Sequence, residues 1–442
     1  MARATLPRPV RPSPNASRPV PHRPSLPPHR APPRLPTAIL LALVACGGGG
    51  ETPPTLVDPP ASRVATVSTL GRGAVTERYT SELAVRPPWA YTGTWGRRGT
   101  ALGSVIYVWD VSGAAPALRD SVQVDPNPAS PTVSTIGDVQ VTDDGRWLVA
   151  ATEPAGSLVV YSLADPARPR LAARFVTPDL AAGVHTAQVA RVGGRLYAFC
   201  ALDPRGGTPA KLAVVDLSDP AAPRQVFVRA MGEPFVHDTY VRDGWLLTAD
   251  WDGGAAVWDI GARGRGTPEA PEFVSRVRTV GGQAHNIWWG RDASGAARWA
   301  FVGQEGPGAV GSSSTGDVHV VDMADPASPR EVAVFSVAGA GTHNFSVDVA
   351  RGVLYAAYYN GGVRALDITG DLGSCAAAQR LADGRCDLGR MGREVGRGLA
   401  DGTTNVYVWG VEYTAPEGAA ANGALYASDM LGGLWKLGPV TR

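Results

Sequence analysis

The sequence predicts an all-β fold, a seven-bladed β-propeller of four-stranded antiparallel blades. The first observation is one apolar phrase that ends in Asp and a Pro turn and recurs seven times, as in V-V-D-L-S-D-P-A-A-P at residues 214–223. The second is another pattern upstream of each phrase, a polar pair, a strand, and then a strand with an early aromatic residue. The third is a set of Gly-rich turns at residues 251–254, 359–362 and 430–433. A unit that repeats in this way without helical periodicity indicates a propeller.

The recurring phrase predicts a strand, a turn and a second strand. Its β-branched run favours a strand, and Asp before Pro begins a turn because Pro has no N–H to donate to a ladder. Clear copies are V-V-D-M-A-D-P-A-S-P at 320–329 and V-V-Y-S-L-A-D-P-A-R-P at 159–169. Degenerate copies lie at residues 108–116, 257–261, 365–370 and 434–438.

Together the two patterns define blades of four strands, named a to d from the inside outwards. The blades are predicted at residues 81–125, 137–176, 184–229, 236–280, 284–337, 342–400 and 404–438. The last blade ends after its third strand, so residues 64–70 are predicted to supply the fourth and to close the ring. Such pairing of the chain ends leaves no open edge to aggregate.

The apolar-Asp phrase resembles the LVIVD repeat, and the resemblance extends over residues 81–440. The Y-T-G-T-W-G stretch at 91–96, the repeated His-Asn and His-Asp pairs and the ending A-L-Y-A-S-D-M-L-G-G-L-W are similar to bacterial surface proteins of that class. The resemblance implies a seven-bladed propeller on the outside of a bacterial or archaeal cell. It implies no defined reaction.

Composition is consistent with a turn-rich propeller and gives no sign of a nucleic-acid partner. The formal net charge of the 442-residue chain is +1, and 18% of its residues are charged. A nucleic-acid-binding domain of this kind would carry a basic surplus, which is absent here. Its 54 Gly and 38 Pro are typical of turn-rich β structure. Residues 63–442 are therefore predicted to form one propeller domain.

The first part of the chain predicts export and a lipid anchor. A basic, Pro-rich region is followed by an apolar run at residues 37–45, which is too short to span a bilayer of about 30 Å. The L-V-A-C stretch resembles a lipobox, so residues 1–45 are predicted to be a removed signal peptide and Cys46 the lipidated residue. An ordinary signal peptide with a chance Cys is the alternative. Residues 46–62 are predicted to be a flexible tether, and by resemblance to other lipoproteins the outer membrane is favoured, facing the periplasm or the outside.

The remaining cysteines agree with export. Cys375 and Cys386 bracket a short segment inside an insertion near residues 371–400, where a disulfide is expected in an oxidising compartment. Zinc is the less favoured alternative, because no His or third Cys lies nearby. Cys200 lies in a predicted strand and is expected to be buried and unreactive.

Four histidines occupy one repeat position, the start of strand a, in four consecutive blades: His185, His237, His285 and His343. Since inner strands line the channel, these imidazoles are expected to form an arc at its mouth. The b-to-c turns should bring Asp252 and Glu305 nearby, with Glu153 and Asn360 at equivalent positions. Imidazole and carboxylate together are the ligands of zinc, copper or iron, and also the parts of a general base.

A structural role for the same histidines is the favoured interpretation, because a residue repeated in several blades often ties strands together. The spacing of inner strands also makes four ligands to one metal doubtful, whereas two or three fit. His319, inside a predicted strand c, is expected to be half-exposed.

The sequence favours a non-enzymatic, lipid-anchored envelope propeller that binds a protein or polysaccharide partner and needs no cofactor. The alternative is a metal-dependent enzyme, an oxidase or a hydrolase, that uses the histidine arc and a transition metal. A purely structural envelope component is a third possibility.

Overall fold

The structure is a computed structural model that describes residues 64–125, 132–205, 207–232, 235–400, 405–415 and 423–440. Seven antiparallel sheets of at least four strands each form the blades, as the sequence predicts. Each innermost strand contacts the innermost strands of the two neighbouring blades, and the seventh contacts the first. This closed circle of contacts makes the fold a seven-bladed propeller around a central channel.

In blades 1 to 7, strand a is Tyr79–Arg86, Thr135–Val141, Thr186–Val192, Asp238–Arg242, Ala284–Trp289, Phe345–Asp348 and Val408–Thr414. Strand b is Trp89–Trp95, Trp147–Glu153, Arg195–Leu202, Trp245–Ala249, Trp299–Gln304, Val353–Ala357 and Ala424–Asp429. Strand c is Val105–Asp110, Ser157–Ser162, Lys211–Asp216, Ala255–Asp259, Val318–Asp322, Val363–Asp367 and Gly433–Leu437. Strand d is Ala117–Gln123, Arg170–Phe175, Arg224–Ala230, Glu272–Val277, Arg330–Phe335, Glu394–Gly398 and Thr69–Ala74.

Four further short elements lie outside this plan: the strands Ala65–Thr66 and Cys386–Asp387, the hairpin of Arg97–Arg98 with Ala101–Leu102, and the 3₁₀ turn Ala377–Gln379. No helix among the described residues is long and apolar enough to cross a membrane.

The Asp of the recurring phrase ends strand c because its carboxylate caps the turn that follows. Asp216 accepts a hydrogen bond from the Ser218 N–H at 2.9 Å, and Asp322 accepts one from the Ala324 N–H at 3.0 Å. The side chain thereby satisfies a backbone donor that the ladder leaves unpaired. The phrase is thus a strand-ending device that is repeated once in most blades.

The core lies between blades rather than within one. Seven apolar clusters each combine buried residues of two adjacent blades, for example Val149 and Leu158 of blade 2 with Leu196 and Cys200 of blade 3. Burial of this apolar surface is the main favourable contribution to folding. The free Cys200 is buried, as expected.

The two chain ends pair as predicted, but the pairing strand is displaced along the sequence. Strand Thr69–Ala74, rather than residues 64–70, pairs antiparallel with Gly433–Leu437. Ala65–Thr66 instead pairs parallel with Glu394–Gly398 of blade 6. The closing strand approaches blade 1 so closely that a Cβ at Gly71 would lie 2.5 Å from the Ala115 Cα. Close approach therefore selects a Gly-containing strand over the more apolar stretch before it.

The insertion in blade 6 carries the predicted disulfide. Cys375 and Cys386 are bonded with an S–S distance of 2.10 Å and a Cα–Cα distance of 5.9 Å. Cys386–Asp387 pairs parallel with strand d of blade 5, and Glu394–Gly398 then returns to form strand d of blade 6. The bridge therefore staples the insertion beside the outer edge of the propeller.

Candidate functional site

Four imidazoles lie next to one another at the channel mouth, where the sequence places them. His185, His237, His285 and His343 lie at or just before the start of strand a in blades 3 to 6. Consecutive ring centroids are 4.2, 4.2 and 4.1 Å apart. The His185, His237 and His343 backbone N–H groups donate to strand b carbonyls at 2.7–2.9 Å. Hydrogen bonds within the blade therefore fix the backbone position of these three histidines.

Two tryptophans complete the arc into a closed ring of six aromatic groups. The Trp409 ring lies 4.1 Å from His343 and 4.7 Å from Trp95, and Trp95 lies 6.0 Å from His185. Blade 2 has Gly137 at the equivalent position, where a Cβ would lie 1.9 Å from the His185 carbonyl oxygen. Blade 2 therefore has no space for a side chain, which explains why the histidine pattern is interrupted there.

The Nε2 atoms of the four histidines converge. His185 Nε2 and His237 Nε2 are 3.0 Å apart. Glu305 Oε2 lies 3.7 Å from His237 Nε2 and 3.6 Å from His285 Nε2, and Glu305 Oε1 lies 3.9 Å from His343 Nε2. These oxygen–nitrogen distances are too long for hydrogen bonds. Nε2 of His237, His285 and His343 therefore face a common point at the Glu305 carboxylate, and His185 Nε2 lies beside that of His237.

A second tier of side chains covers the ring from the b-to-c turns. Its members are the last residue of strand b or lie one or two residues after it: Trp95, Glu153, Asp203, Trp251, Glu305, Tyr359 and Met430. Trp251 stacks on His237 with a centroid distance of 5.3 Å, and Tyr359 lies 5.1 Å from His343. The Tyr359 hydroxyl donates a hydrogen bond to Glu305.

Two of these turn residues adopt a strained backbone. Trp251 has φ of 52° and Tyr359 has φ of 40°, in the left-handed region that bulky residues rarely enter. Each is followed by an Asx-Gly-Gly sequence, and each exchanges two backbone hydrogen bonds with strand a of the next blade. Strain of this kind persists only where surrounding contacts impose it, and it is concentrated at functional sites.

His185 differs from the other three because carboxylates hold its Nδ1. Glu153 Oε1 lies 2.5 Å from His185 Nδ1, and Asp203 Oδ2 lies 3.5 Å from it. Arg205 forms an ion pair with Glu153. A carboxylate at Nδ1 keeps the proton there, so the Nε2 lone pair of His185 points towards His237. The same carboxylate–imidazole pairing orients histidines that bind metals.

Burial makes the other three imidazoles neutral. It lowers the pKa of His237, His285 and His343 well below the usual value, and the neighbouring imidazoles lower it further. Burial raises the pKa of Glu305 to about 7, against the hydrogen bond from Tyr359, which lowers it. A neutral imidazole offers one lone pair, which is the form that binds a metal ion.

Several of these nitrogens have no hydrogen-bond partner among the described residues. They are Nδ1 of His237 and His285 and both ring nitrogens of His343. His285 and His343 are only 3% and 2% exposed. A buried polar atom without a partner costs about 1–3 kcal/mol, so a cluster of them requires an explanation.

The spacing suits one metal ion. Bonds of about 2.0–2.1 Å place two ligating nitrogens about 2.9–3.4 Å apart, and two ligands on opposite sides about 4.2 Å apart. The 3.0 Å separation of His185 and His237 Nε2 and the 3.6–3.9 Å distances to Glu305 lie within this span. Ligand atoms of His237, His285 and Glu305 lie within 4.8 Å of one another, as do those of Glu153, His185 and Asp203.

Two other residues, Asp252 and His319, do not have the environment that the sequence predicts. Asp252 does not face the ring: it is exposed, and its Oδ1 accepts a hydrogen bond from the Gln283 N–H at 3.3 Å. His319 is buried rather than half-exposed, because Glu331 holds its Nδ1 at 2.7 Å. Cys46, the signal peptide and the tether lie outside the described residues.

Asp203, Trp251, Tyr359 and the Trp95–Trp409 pair are the site residues that the sequence reasoning missed. All except Trp409 share one repeat position, the end of strand b. Aligning the seven b-to-c turns by that position, rather than by their Asp and Asn residues, would have found them.

A scan against protein-family models gives no match to this chain. A search of the curated proteins also gives none. The structure establishes a propeller repeat protein, and the site must be interpreted from its own geometry.

Proposed function

We propose that this protein is a metal-binding propeller that holds one transition-metal ion at the mouth of its channel. The proposed ligands are Nε2 of His185, His237 and His285 and the Glu305 carboxylate, and Nε2 of His343 lies 3.9 Å from Glu305 Oε1. The observation that carries the proposal is the convergence of buried imidazoles on the Glu305 carboxylate, with His343 Nε2 left without a hydrogen-bond partner among the described residues. Imidazole nitrogen suits zinc, copper or iron, whereas Mg²⁺ and Ca²⁺ prefer oxygen ligands.

A purely structural role for the four histidines agrees less well with their contacts. A histidine that ties strands together donates to a backbone carbonyl or a carboxylate, as His319 of strand c in blade 5 does with Glu331 of the neighbouring strand d. Of the four ring histidines, His185 alone has such a carboxylate contact within hydrogen-bonding distance. A metal ion would use the nitrogens that face the common point, which supports binding over strand pairing.

The site also has the surroundings that a metal centre requires. Glu153 orients His185, and Tyr359 orients Glu305. Trp251 stacks on His237, and Trp95 and Trp409 lie against His185 and His343. Groups that position ligands influence metal affinity nearly as much as the ligands themselves. Bound metal would act as a Lewis acid or redox centre at the channel axis.

The cellular address is part of the proposal. The L-V-A-C leader and the Cys375–Cys386 disulfide support an exported, Cys46-anchored protein of LVIVD type at the outer membrane. A propeller fold also fits a binding or scaffold role, and we keep recognition of an envelope protein or polysaccharide as the second candidate. The LVIVD-like phrase favours it, since that resemblance implies a surface protein without a defined reaction.

The proposal is tested by the metal content of protein purified from an oxidising compartment. We expect about one equivalent of transition metal per chain, and loss of most of it in the His237→Ala/His285→Ala double variant. His319→Gln is the matched control, because His319 is buried but lies outside the ring. Less than about a tenth of an equivalent, with no uptake of added Zn²⁺, Cu²⁺ or Fe²⁺, overturns the proposal.

A further inference from the structure

On the side of the imidazole ring away from Glu305, the channel continues as a chamber. Its volume is about 380 Å³, and strand a of several blades lines it. The four ring histidines lie at one end, and the exposed Arg86 and Asp143, at the far ends of their strands a, lie at the other. Glu305 is not among its lining residues. The chamber is therefore distinct from the carboxylate side of the proposed metal centre.

Four carboxylates from four different blades line this chamber: Glu82, Asp138, Asp238 and Glu412. Within the described chain none of them has an Arg, Lys or His ion-pair partner. Their hydrogen bonds come from neutral donors, for instance the Val85 N–H to Glu412 at 2.7 Å and the Thr239 N–H to Asp238 at 2.7 Å. Asn344 donates to Glu82, and the Gln140 amide donates to Asp138 at 3.0 Å. The chamber thus has several acids and no basic side chain along its walls between its two ends.

For Glu412 and Glu82 the electrostatics show the cost of burying a carboxylate without a nearby cation. Burial raises the pKa of Glu412 to about 8. Burial, and then the charge of Asp138, raises the pKa of Glu82 well above its usual value. A buried carboxylate is unfavourable unless a cation lies nearby. A ligand of positive charge would remove this penalty.

The carboxylates surround a space rather than a point. Among the described residues, ligand atoms within 4.8 Å of one another occur in two groups, His237–His285–Glu305 and Glu153–His185–Asp203. Neither group contains a chamber carboxylate, so these acids are too widely spaced for three of them to bind one metal ion. A cation of several atoms can span such a distance.

The end wall points to the same class of ligand. His285 and His343 line the chamber, are only 3% and 2% exposed, and have Nδ1 atoms without a partner among the described residues. Trp288, Trp409 and Tyr240 add aromatic surface to the lining, which attracts cations and packs against alkyl chains.

We propose that the chamber binds a small organic cation, a primary alkylamine or diamine in its ammonium form, between the four carboxylates and the imidazole ring. The inference goes beyond the metal proposal, because the carboxylates that carry it do not contribute to the metal ligands. When metal is also bound, the amine lies on the chamber side of its ligands. Amines are then the substrate class that the channel selects.

Binding of n-butylammonium and 1,4-butanediammonium tests the inference, with 1-butanol and butanoate as neutral and anionic counterparts of similar shape. Isothermal titration calorimetry is run on the full mature chain, with and without metal. We expect the ammonium compounds to bind and the other two not to bind. Glu412→Gln and Glu82→Gln should each weaken binding about ten- to hundredfold, since a hydrogen bond to a charged group is lost. Asp120→Asn, on the outer strand of blade 1, is the control and should bind as the unsubstituted chain does.

Three outcomes overturn the inference: equal binding of 1-butanol, unchanged affinity in both Gln variants, or displacement of the amine by millimolar Mg²⁺ or Ca²⁺. Circular dichroism confirms that each variant is folded, and either Gln variant alone suffices if the other unfolds. Metal content is measured in the same samples. If the unsubstituted chain retains metal but does not bind the amine, only this inference is contradicted, and if it binds the amine but takes up no metal, only the metal proposal is contradicted.

Discussion

Replacing Glu153 with Gln tests how much the carboxylate that orients one proposed metal ligand contributes to metal affinity. Glu153 Oε1 lies 2.5 Å from His185 Nδ1, and Arg205 holds the other carboxylate oxygen. The substituted side chain keeps the shape and one acceptor but removes the negative charge beside His185 Nδ1. Loss of such an orienting partner typically costs about 10- to 100-fold in metal affinity. Because the amide retains a neutral acceptor, we expect about tenfold weaker binding, about 1.4 kcal/mol, and a larger loss for Glu153→Ala.

The affinity is measured by chelator competition at constant pH and ionic strength, on samples checked for folding by thermal unfolding. Asp252→Asn is the matched control, because Asp252 is an acid of a neighbouring b-to-c turn that is exposed and faces away from the ring. The reasoning fails if the Glu153→Gln protein binds metal within about twofold of the unsubstituted chain. It fails equally if Asp252→Asn causes the same loss.

Three further predictions concern the fold around the site. Replacing both Cys375 and Cys386 with Ser, which opens a loop of sequence separation 11, should lower the free energy of unfolding by about 3 kcal/mol in urea titrations; no change refutes it. Glu412→Gln should stabilise the protein increasingly as pH rises from about 4.5 to about 8, because ionisation of a buried carboxyl with a raised pKa penalises the folded state; a pH-independent difference contradicts this. Gly137→Ala places a Cβ 1.9 Å from the His185 carbonyl oxygen, so it should lower both stability and metal affinity, and wild-type values for both would disprove the packing argument.

The sequence is most informative where one physical pattern is repeated. The apolar run ending in a capping Asp marks strand c because that Asp satisfies the turn, as with Asp216 and Ser218. The histidines are found for the same reason, since a fixed place in each blade becomes a fixed height along the channel. Seven blades and the imidazole arc are therefore predicted correctly.

The turns and the closing strand depend on geometry that the pattern does not contain. In the turn at 251–254 the left-handed backbone of Trp251 turns that ring towards His237 and leaves Asp252 in solvent. From residue type alone, one expects Asp252 rather than Trp251 to face the histidines. The closing strand contains Gly71 and Gly73 because blade 1 approaches its backbone, and hydropathy cannot report such a contact.

The propeller also brings together residues far apart in the chain whose roles have no local signature. Glu412 and Glu82 are separated by more than three hundred positions, yet they line one chamber with His285 at its end. Neither acid belongs to a recognisable motif. Their shared environment follows from ring closure, which only the three-dimensional structure provides.

The most direct test of the metal centre is anomalous X-ray diffraction from crystals of the metal-loaded protein, recorded at the absorption edge of the bound ion. We predict one anomalous peak at the channel axis, about 2.0–2.2 Å from the Nε2 atoms that surround it. Ordered water bridging those imidazoles, with no anomalous peak between His237 and His285, would contradict the account.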